Sequence, residues 1–475
     1  MEIMDALQDT IDYGENLGAD FVIARMDDVN IHMMTRVNDI WRDITGMNRR
    51  GLGITCYYKG AVGYSFLTSI NKKYVRNAIQ RAFKVAKASE PYVSSPMFIE
   101  EIQPVQKHQS DIFKVKQPMY EHSKLEKMEI INSILNNFTK SADHIQSKEG
   151  YIHERYSKKV VATSDRSFIE WELEVLELKC VLHARTSSGE SIEAIKHFGG
   201  TLGFEIFNSK HFSPDTIVDD LNKSLKEQLN SKPCPAGNHR ALIDHTLSGA
   251  LAHESFGHLA EADWIIGGIS PLKGRIGEEV GKEKVTIIDS GCPDIEKGKG
   301  GIWVPFDDQG IRKKDTSIVE RGVLNNYLHD RSTAQKLDQF PTGNSRAIHY
   351  GYAPIPRMTN TYFAPGDLNE EEALEMLKTG VYAKFQCGGS AEFNGNFMFK
   401  AAEGYWIEKG KIQTPLRGIT ISGSVFDVLA QIMGITNDFA LIGYVWGCGK
   451  RDQHGLSVGL GGPQLVLESI TFGGV

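Results

Sequence analysis

Two histidines and a glutamate near the middle of the chain have the residue types of a hydrolytic metal site. His253 is followed directly by Glu254, and His258 stands five positions after His253. Neutral imidazole nitrogens bind divalent zinc, and a carboxylate beside them can accept a proton from water that the metal activates. The sequence therefore predicts a site with His253 and His258 as ligands and Glu254 as general base.

The five-residue spacing of the two histidines requires a departure from a regular α-helix. At about 100° per residue, His253 and His258 would point about 140° apart, too far to bind one ion. One π-type turn, with about 4.4 residues per turn, would bring them to within about 50° of each other, and such turns favour functional sites. Because Gly257 loosens the backbone here, we expect a widened turn or a break between His253 and His258.

A catalytic metal site also needs a third protein ligand, which must come from another part of the chain. No other histidine follows His258 within ten residues. The best candidate is Cys448, which has a glycine on each side, because a thiolate binds zinc well. His454 is the alternative ligand. One zinc ion is the expected cofactor, and ferrous iron also suits these ligands.

The composition is that of a soluble globular protein and limits the classes of partner. The 475 residues are 41% hydrophobic and 24% charged, with a net charge of -7, which disfavours nucleic acids and anionic membranes. The first residues lack a signal-peptide pattern, and no apolar run approaches the roughly 18 residues of a membrane span. The six cysteines are scattered, as in reduced proteins. We therefore expect a cytoplasmic protein.

A change in glycine content marks a domain boundary. Residues 230–238 contain two prolines and a glycine, which end the helix predicted before them. Of the 47 glycines, 35 follow residue 234, a density typical of turn-rich β structure. A chain of this length exceeds one ordinary core. We predict an N-terminal scaffold and dimerisation domain of residues 1–232 and a C-terminal catalytic domain of residues 233–475.

The predicted elements favour an α+β fold. In the first domain, amphipathic helices and β-branched strands predict helices packed on a mostly antiparallel sheet. In the second, glycine-punctuated strands predict a barrel- or sandwich-like β domain that carries the metal-site helix. Residues 267–310 are long, irregular and rich in Lys, Gly and Pro, and we interpret part of this stretch as a flap over the site.

Gly388, Gly389 and Ser390 are candidate substrate-binding residues. They follow the start of a predicted strand in the C-terminal domain. A glycine-flanked strand edge lets an extended peptide add itself to the sheet through main-chain hydrogen bonds. The alternative interpretation is that the two glycines form only a turn.

Several motifs of the chain point to one known family. They are His253-Glu254-x-x-Gly257-His258, residues 350–361, Gly447-Cys448-Gly449-Lys450 and Gly461-Gly462-Pro463. Together they resemble the TldD/PmbA family, which is regarded as a group of cytosolic metallopeptidases and was long labelled as modulators of DNA gyrase. The resemblance implies a TldD-type subunit with His253, His258 and Cys448 as metal ligands and Glu254 as base. It also implies a dimer, either with itself or with a PmbA-type (TldE) subunit that lacks the motif.

The favoured function is a metal-dependent peptidase that hydrolyses short or unfolded peptides with broad specificity. Such breadth is expected because a groove that binds the peptide backbone distinguishes few side chains. The alternative is a non-catalytic, partner-binding subunit with a structural metal ion. A structural site of this kind does not need Glu254 as a base beside its ligand. A DNA-linked role is disfavoured, because the acidic chain lacks a basic stripe.

Overall fold

The computed structural model describes residues 3–93, 109–111, 115–139, 144–293, 300–392 and 394–473. Two large sheets dominate it: strands up to residue 200 form the first, and strands from residue 232 onward form the second. Short 3-10 helices cover Glu90–Tyr92, Met119–Glu121, Asn136–Thr139 and Phe204–Asn208. The α-helices are α1 (Ile3–Asn16), α2 (Lys72–Ser89), α3 (Lys124–Leu135), α4 (Pro214–Gln228), α5 (His245–Leu251), α6 (Ala262–Ile266), α7 (Arg331–Lys336), α8 (Glu370–Leu377) and α9 (Val425–Gln431).

The first sheet has seven strands in the order β3-β2-β1-β5-β6-β4, with β7 also paired to β6. All of its pairings are antiparallel except that of β4 with β6. Its strands are β1 (Phe21–Val37), β2 (Ile40–Tyr58), β3 (Ala61–Leu67), β4 (Gln109–Asp111), β5 (Ile145–Thr163), β6 (Phe168–Arg185) and β7 (Ser191–Gly200).

Helices cover this sheet because each presents an apolar stripe to it. Ile131 of α3 and Leu221 of α4 join Leu178 of β6 in one buried cluster. Ile79 of α2 joins Val22 of β1 in another. Helices packed on a mostly antiparallel sheet were predicted for this half, and that α+β arrangement is confirmed.

The second sheet has twelve strands, and a separate two-stranded sheet pairs β13 with β14. The strands of the second half are β8 (Lys232–Pro233), β9 (Gly237–Ile243), β10 (Ile287–Ser290), β11 (Thr316–Glu320), β12 (Val323–Leu324), β13 (Ser345–Arg346), β14 (Ile355–Pro356), β15 (Asn360–Phe363), β16 (Gly380–Ala391), β17 (Asn396–Glu408), β18 (Lys411–Arg417), β19 (Ile419–Ser424), β20 (Ile432–Lys450) and β21 (Gln453–Gly473).

Five strands of this sheet close into a barrel. Strand β21 pairs with both β9 and β19, and the pairings of β9 with β16, β16 with β17 and β17 with β19 complete the ring. Leu247, Leu251 and Phe256 of the helical segment that follows β9 pack in the same core as Phe399 and Leu465. The barrel-like β domain with a helix against it was predicted and is confirmed.

The two halves are joined through buried groups. Val29 on the first sheet packs with Ile302 and Val445 from the second half. The Arg25 guanidinium lies 3.1 Å from the Asp308 carboxylate, and both side chains are 2% exposed. The division at 232/233 into separate domains stays a prediction.

The sequence predicts that part of residues 267–310 forms a flap over the site. Their only regular strand among the described residues is β10, and residues 294–299 lie outside the described residues. Ile302 and Phe306 are fully buried, so the last part of the stretch is fixed between the two halves. Whether the earlier part moves stays a prediction. None of the helices in the described residues has the length and apolar character needed to cross a bilayer.

Candidate metal centre

The segment that carries both histidines is a π-helical turn, as their spacing predicts. Helix α5 begins after Asp244, whose carboxylate accepts the backbone N–H groups of Thr246 and Leu247. A π-helix then covers Ala252–Gly257, and the backbone N–H of His258 donates to the carbonyl of His253, five residues earlier. The extra residue per turn brings the two imidazoles onto one side of the helix.

Glycine at position 257 is required by close packing against the π turn. A Cβ added to Gly257 would lie 2.0 Å from the sulfur of Met358 and 3.3 Å from the carbonyl oxygen of Ala252. The first distance is far below van der Waals contact, so any larger side chain would displace Met358 or widen the turn further. Met358 itself is fully buried.

The third candidate ligand comes from β20, about 190 residues later in the chain. The pairing of β20 with β21 is irregular on both sides of Cys448, which pairs with Leu456. Such bulges turn a side chain away from the regular alternation of a strand. The Sγ of Cys448 lies 3.6 Å from Nε2 of His258.

The structure brings His253, His258 and Cys448 together. One donor atom from each residue lies within 4.8 Å of the other two, and the two imidazole rings are 5.0 Å apart between centroids and inclined by 82°. Donors bound tetrahedrally to one zinc ion are separated by roughly 3.4 to 3.6 Å, given their usual bond lengths. Small side-chain movements would therefore allow all three residues to bind one ion.

His253 supplies an independent test of whether the site fits a metal. The residue is fully buried, and neither ring nitrogen has a hydrogen-bond partner among the described residues. A buried polar group without a partner is unfavourable by about 1–3 kcal/mol. A metal ion bound to one nitrogen would remove much of that penalty, so this donor set fits a divalent ion.

The charges around the thiol favour its ionised form. Burial opposes ionisation of Cys448, but the positive charges of His258 and Arg357 outweigh burial and hold the pKa of the thiol well below its usual range. Burial likewise opposes protonation of His258, yet the Glu261 carboxylate and the Cys448 thiolate raise its pKa well above the usual value. In the metal-free site the thiolate thus pairs with the His258 ring, and a bound cation would replace the proton of that ring.

Glu261 is a site residue that sequence reasoning missed. Its Oε2 lies 3.0 Å from Nδ1 of His258 and 3.0 Å from Nζ of Lys450. Burial raises the pKa of Glu261, but Lys450 and His258 outweigh burial and lower it to about 2. The one signal in the sequence is its position three residues after His258, although the structure places Glu261 beyond the end of the helix in an extended conformation.

Glu254 lies on the π turn beside His253 and is half-buried. It makes no hydrogen bond or ion pair with any of the residues that the structure describes. His454, the alternative ligand, is exposed in the hairpin between β20 and β21, opposite Gly449. The histidine does not belong to the group of convergent donors.

The candidate substrate residues lie on β16. Gly388, Gly389 and Ser390 pair with β17, after an irregularity at position 387. The other edge of β16 is paired with β9 only at Val381, Tyr382 and Ala383, and a Cβ added at Gly388 would meet no atom within 4 Å. The glycines therefore belong to a strand rather than only to a turn, and their role in substrate binding stays a prediction.

A cavity of about 860 Å³ lies elsewhere, between the β2–β3 turn, the end of α2 and the segment around α6 and α7. Its lining includes Val62, Tyr92, Ile266 and Leu337 but none of the three donor residues. The candidate chemistry is therefore separate from this cavity.

Solved structures share the fold of this chain. TldE from Thermococcus kodakarensis superposes with a TM-score of 0.75 at 16% identity, over 99% of this chain and 100% of that chain. A Thermotoga maritima protein, described as a proposed modulator of a DNA gyrase, superposes with a TM-score of 0.78 at 20% identity, over 99% of this chain and 100% of that one.

Sequence comparison gives closer relatives. A metalloprotease of Methanocaldococcus jannaschii is 33% identical over 418 residues, which are 87% of this chain and 88% of the relative. A protein of Saccharolobus solfataricus named zinc metalloprotease TldD homolog is 28% identical over 462 residues, which are 97% of this chain and 98% of the relative. Residues 236–474 match the model of the PmbA/TldA metallopeptidase C-terminal domain. With that match and a 33% identical relative over most of its length, this chain belongs to the PmbA/TldD family of metallopeptidases.

Proposed function

We propose that this chain is a metal-dependent peptidase whose divalent ion is held by His253, His258 and Cys448. One observation carries the proposal: the three donor atoms converge around a buried His253 whose ring nitrogens have no partners among the described residues. Most buried histidines hydrogen-bond at least one ring nitrogen to the protein or to ordered water. Two imidazoles and a thiolate favour zinc, and ferrous iron is the second candidate.

Glu254 is the proposed general base. Its carboxylate follows a ligand residue directly, is half-buried and is not neutralised by a partner among the described side chains. A divalent ion, when bound, supplies Lewis acidity that lowers the pKa of water and polarises a peptide carbonyl. Glu254 accepts the proton of the attacking water and transfers it to the leaving amine.

Short or unfolded peptides are the proposed substrates. The edge of β16 beyond Ala383 has no strand partner among the described residues. The N–H groups of Phe385 and Gln386 donate to the side chains of Asp244 and Thr246, so the edge from Gly388 onward is the proposed peptide-binding edge. An extended peptide could pair with such an edge through its main chain, which would make side-chain preference broad. Short or unfolded peptides readily adopt the extended conformation that such pairing requires.

The proposed assembly is a dimer, with a second copy or with a TldE-type subunit. The fold that this chain shares with TldE fits either assembly, because subunits with one fold can pair around a twofold or pseudo-twofold axis. Light scattering of the purified chain, alone and mixed with a TldE-type protein, distinguishes the two assemblies.

Metal analysis combined with a cleavage assay tests the peptidase proposal. The purified protein is expected to carry about one zinc or iron ion per chain, and a chelator is expected to abolish cleavage of a peptide library until metal is restored. Glu254→Gln should keep the ion and lose at least about 10²-fold in kcat. The matched control is Glu468→Gln, which removes an exposed carboxylate 2.7 Å from Arg240 and should change neither property.

Two results would contradict this proposal in different ways. Undiminished cleavage by Glu254→Gln would exclude Glu254 as the base. A full complement of metal without cleavage of any peptide would instead favour the partner-binding subunit with a structural ion.

A further inference from the structure

We propose that Glu261 and Lys450 form a buried positioning pair for the metal centre. Glu261 orients the ring of His258, and Lys450 connects Glu261 to the strand that carries Cys448. The pair thereby holds the ligands of the helix and of the strand at a fixed separation. This inference rests on the proposed role of His253, His258 and Cys448 as metal ligands.

The first part of the argument is the orientation of His258. A fully buried oxygen of Glu261 lies 3.0 Å from Nδ1 of His258, so Nδ1 carries the proton of that hydrogen bond. The opposite nitrogen, Nε2, is the one 3.6 Å from Sγ of Cys448. A carboxylate behind a ligand histidine fixes both the ring orientation and the nitrogen that is left to bind a metal.

The second part is the connection made by Lys450, two residues after Cys448. Its side chain is 1% exposed, and its Nζ lies 3.0 Å from Glu261, 2.6 Å from Asp263 and 2.8 Å from the carbonyl oxygen of Pro356. The contacts with Asp263 and Pro356 are hydrogen bonds, and the contact with Glu261 is an ion pair. Lys450 therefore links β20 to the segment that follows His258, because it contacts the carboxylates of both Glu261 and Asp263.

The third part is that Glu261 uses one oxygen for its contacts with both His258 and Lys450. His258 and Lys450 contact the same oxygen of Glu261, while Oε1 is buried and has no hydrogen-bond partner among the described residues. Buried ion pairs often stabilise a fold no more than apolar groups would, and an unpaired buried oxygen is unfavourable. A carboxylate placed to serve two donors with one oxygen is suited to setting their positions.

The N-terminal half offers a matched control. One oxygen of Glu154, Oε1, lies 2.5 Å from Nδ1 of His32 and 2.7 Å from Nζ of Lys127. The same three residue types thus meet in the same way, on the first sheet and α3, without belonging to the convergent donors. Glu154→Gln should disturb the fold about as much as Glu261→Gln without affecting a metal centre.

Zinc affinity, measured by competition with a chromogenic chelator, tests the proposal. Glu261→Gln and Lys450→Met are expected to weaken zinc binding by about 10- to 100-fold, and Glu154→Gln by less than about twofold. Lys450→Arg keeps the charge and the donors, so it should retain more affinity than Lys450→Met and serves as the second variant if Glu261→Gln does not fold. In the cobalt-loaded protein, Glu261→Gln should keep the thiolate charge-transfer band and shift the d–d bands.

Equal zinc affinities for the parent and Glu261→Gln would overturn the positioning role, as would an equal loss in Glu154→Gln. Both results differ from failure of the proposed function, in which the unsubstituted protein itself would bind no stoichiometric zinc. Thermal melting of the metal-free variants separates an effect on zinc affinity from an effect on stability. A lower melting temperature for Glu261→Gln than for Glu154→Gln would indicate a general defect of the fold.

Discussion

The carboxylate of Glu177, on β6 of the first sheet, accepts the backbone N–H of Val445 at 2.8 Å, three residues before Cys448 on β20. The same carboxylate accepts the hydroxyl of Tyr151 at 2.9 Å and lies 3.0 Å from Nε2 of His197. The strand that delivers Cys448 is therefore supported by the N-terminal half, although every candidate ligand comes from the C-terminal half.

Replacing Glu177 with alanine should destabilise the protein by about 1–3 kcal/mol, because the buried N–H of Val445 and the partly buried donors of Tyr151 and His197 lose their acceptor. Urea unfolding of the metal-free protein measures the change. Glu193→Ala is the control, since Glu193 pairs with His183 at 3.1 Å on the same sheet where both side chains are well exposed. Similar losses in both variants would show that burial beside β20 is unimportant.

Replacing Cys448 with serine should weaken zinc binding strongly while the fold is kept. A hydroxyl is isosteric but stays protonated at neutral pH, so it is a poor ligand for a borderline-soft cation. Chelator competition measures the affinity. Cys180→Ser is the control, because Cys180 is also fully buried but lies in the helix-covered cluster of the first sheet. Unchanged zinc affinity in Cys448→Ser would remove Cys448 from the ligand set.

Gly257→Ala should destabilise the π turn, because the added methyl would overlap the sulfur of Met358. Overpacking of this kind is unfavourable by about 1–3 kcal/mol. Met358→Ala alone creates a cavity, but in combination with Gly257→Ala it should restore part of the lost stability. A double-mutant cycle in urea measures the coupling, and strictly additive losses would contradict the predicted contact.

His329 should make the protein sensitive to mild acid. Burial lowers the pKa of His329 to about 4, below the value of about 6.5 for an unfolded histidine. The unfolded state therefore binds the extra proton first, and stability falls as the pH drops from about 6.5 towards 4. His329→Gln should flatten that part of the pH profile in unfolding experiments. An unchanged slope would show that His329 is protonated in the folded state.

Some features of the site follow from local sequence. The five-residue spacing of His253 and His258 predicts a π turn, since helix geometry is set by neighbouring residues, and the structure has that turn at Ala252–Gly257. The α+β class and the barrel-like second half also follow from periodicity and glycine content, both of which reflect local backbone preferences. Cys448 was predicted from its residue type, its glycine neighbours and the motifs around it.

Other features exist only in the tertiary structure, because they join residues that are far apart in the chain. The closure of five strands into a ring depends on pairings of β21 with both β9 and β19. The spacing of Glu261 from His258 is only a weak signal in the sequence, and the role of its carboxylate becomes visible when His258 and Lys450 are seen on the same oxygen. The support of β20 by Glu177 likewise requires the packing of one half on the other. Sequence thus determined which residue types could perform the chemistry, and folding decided which groups hold them in place.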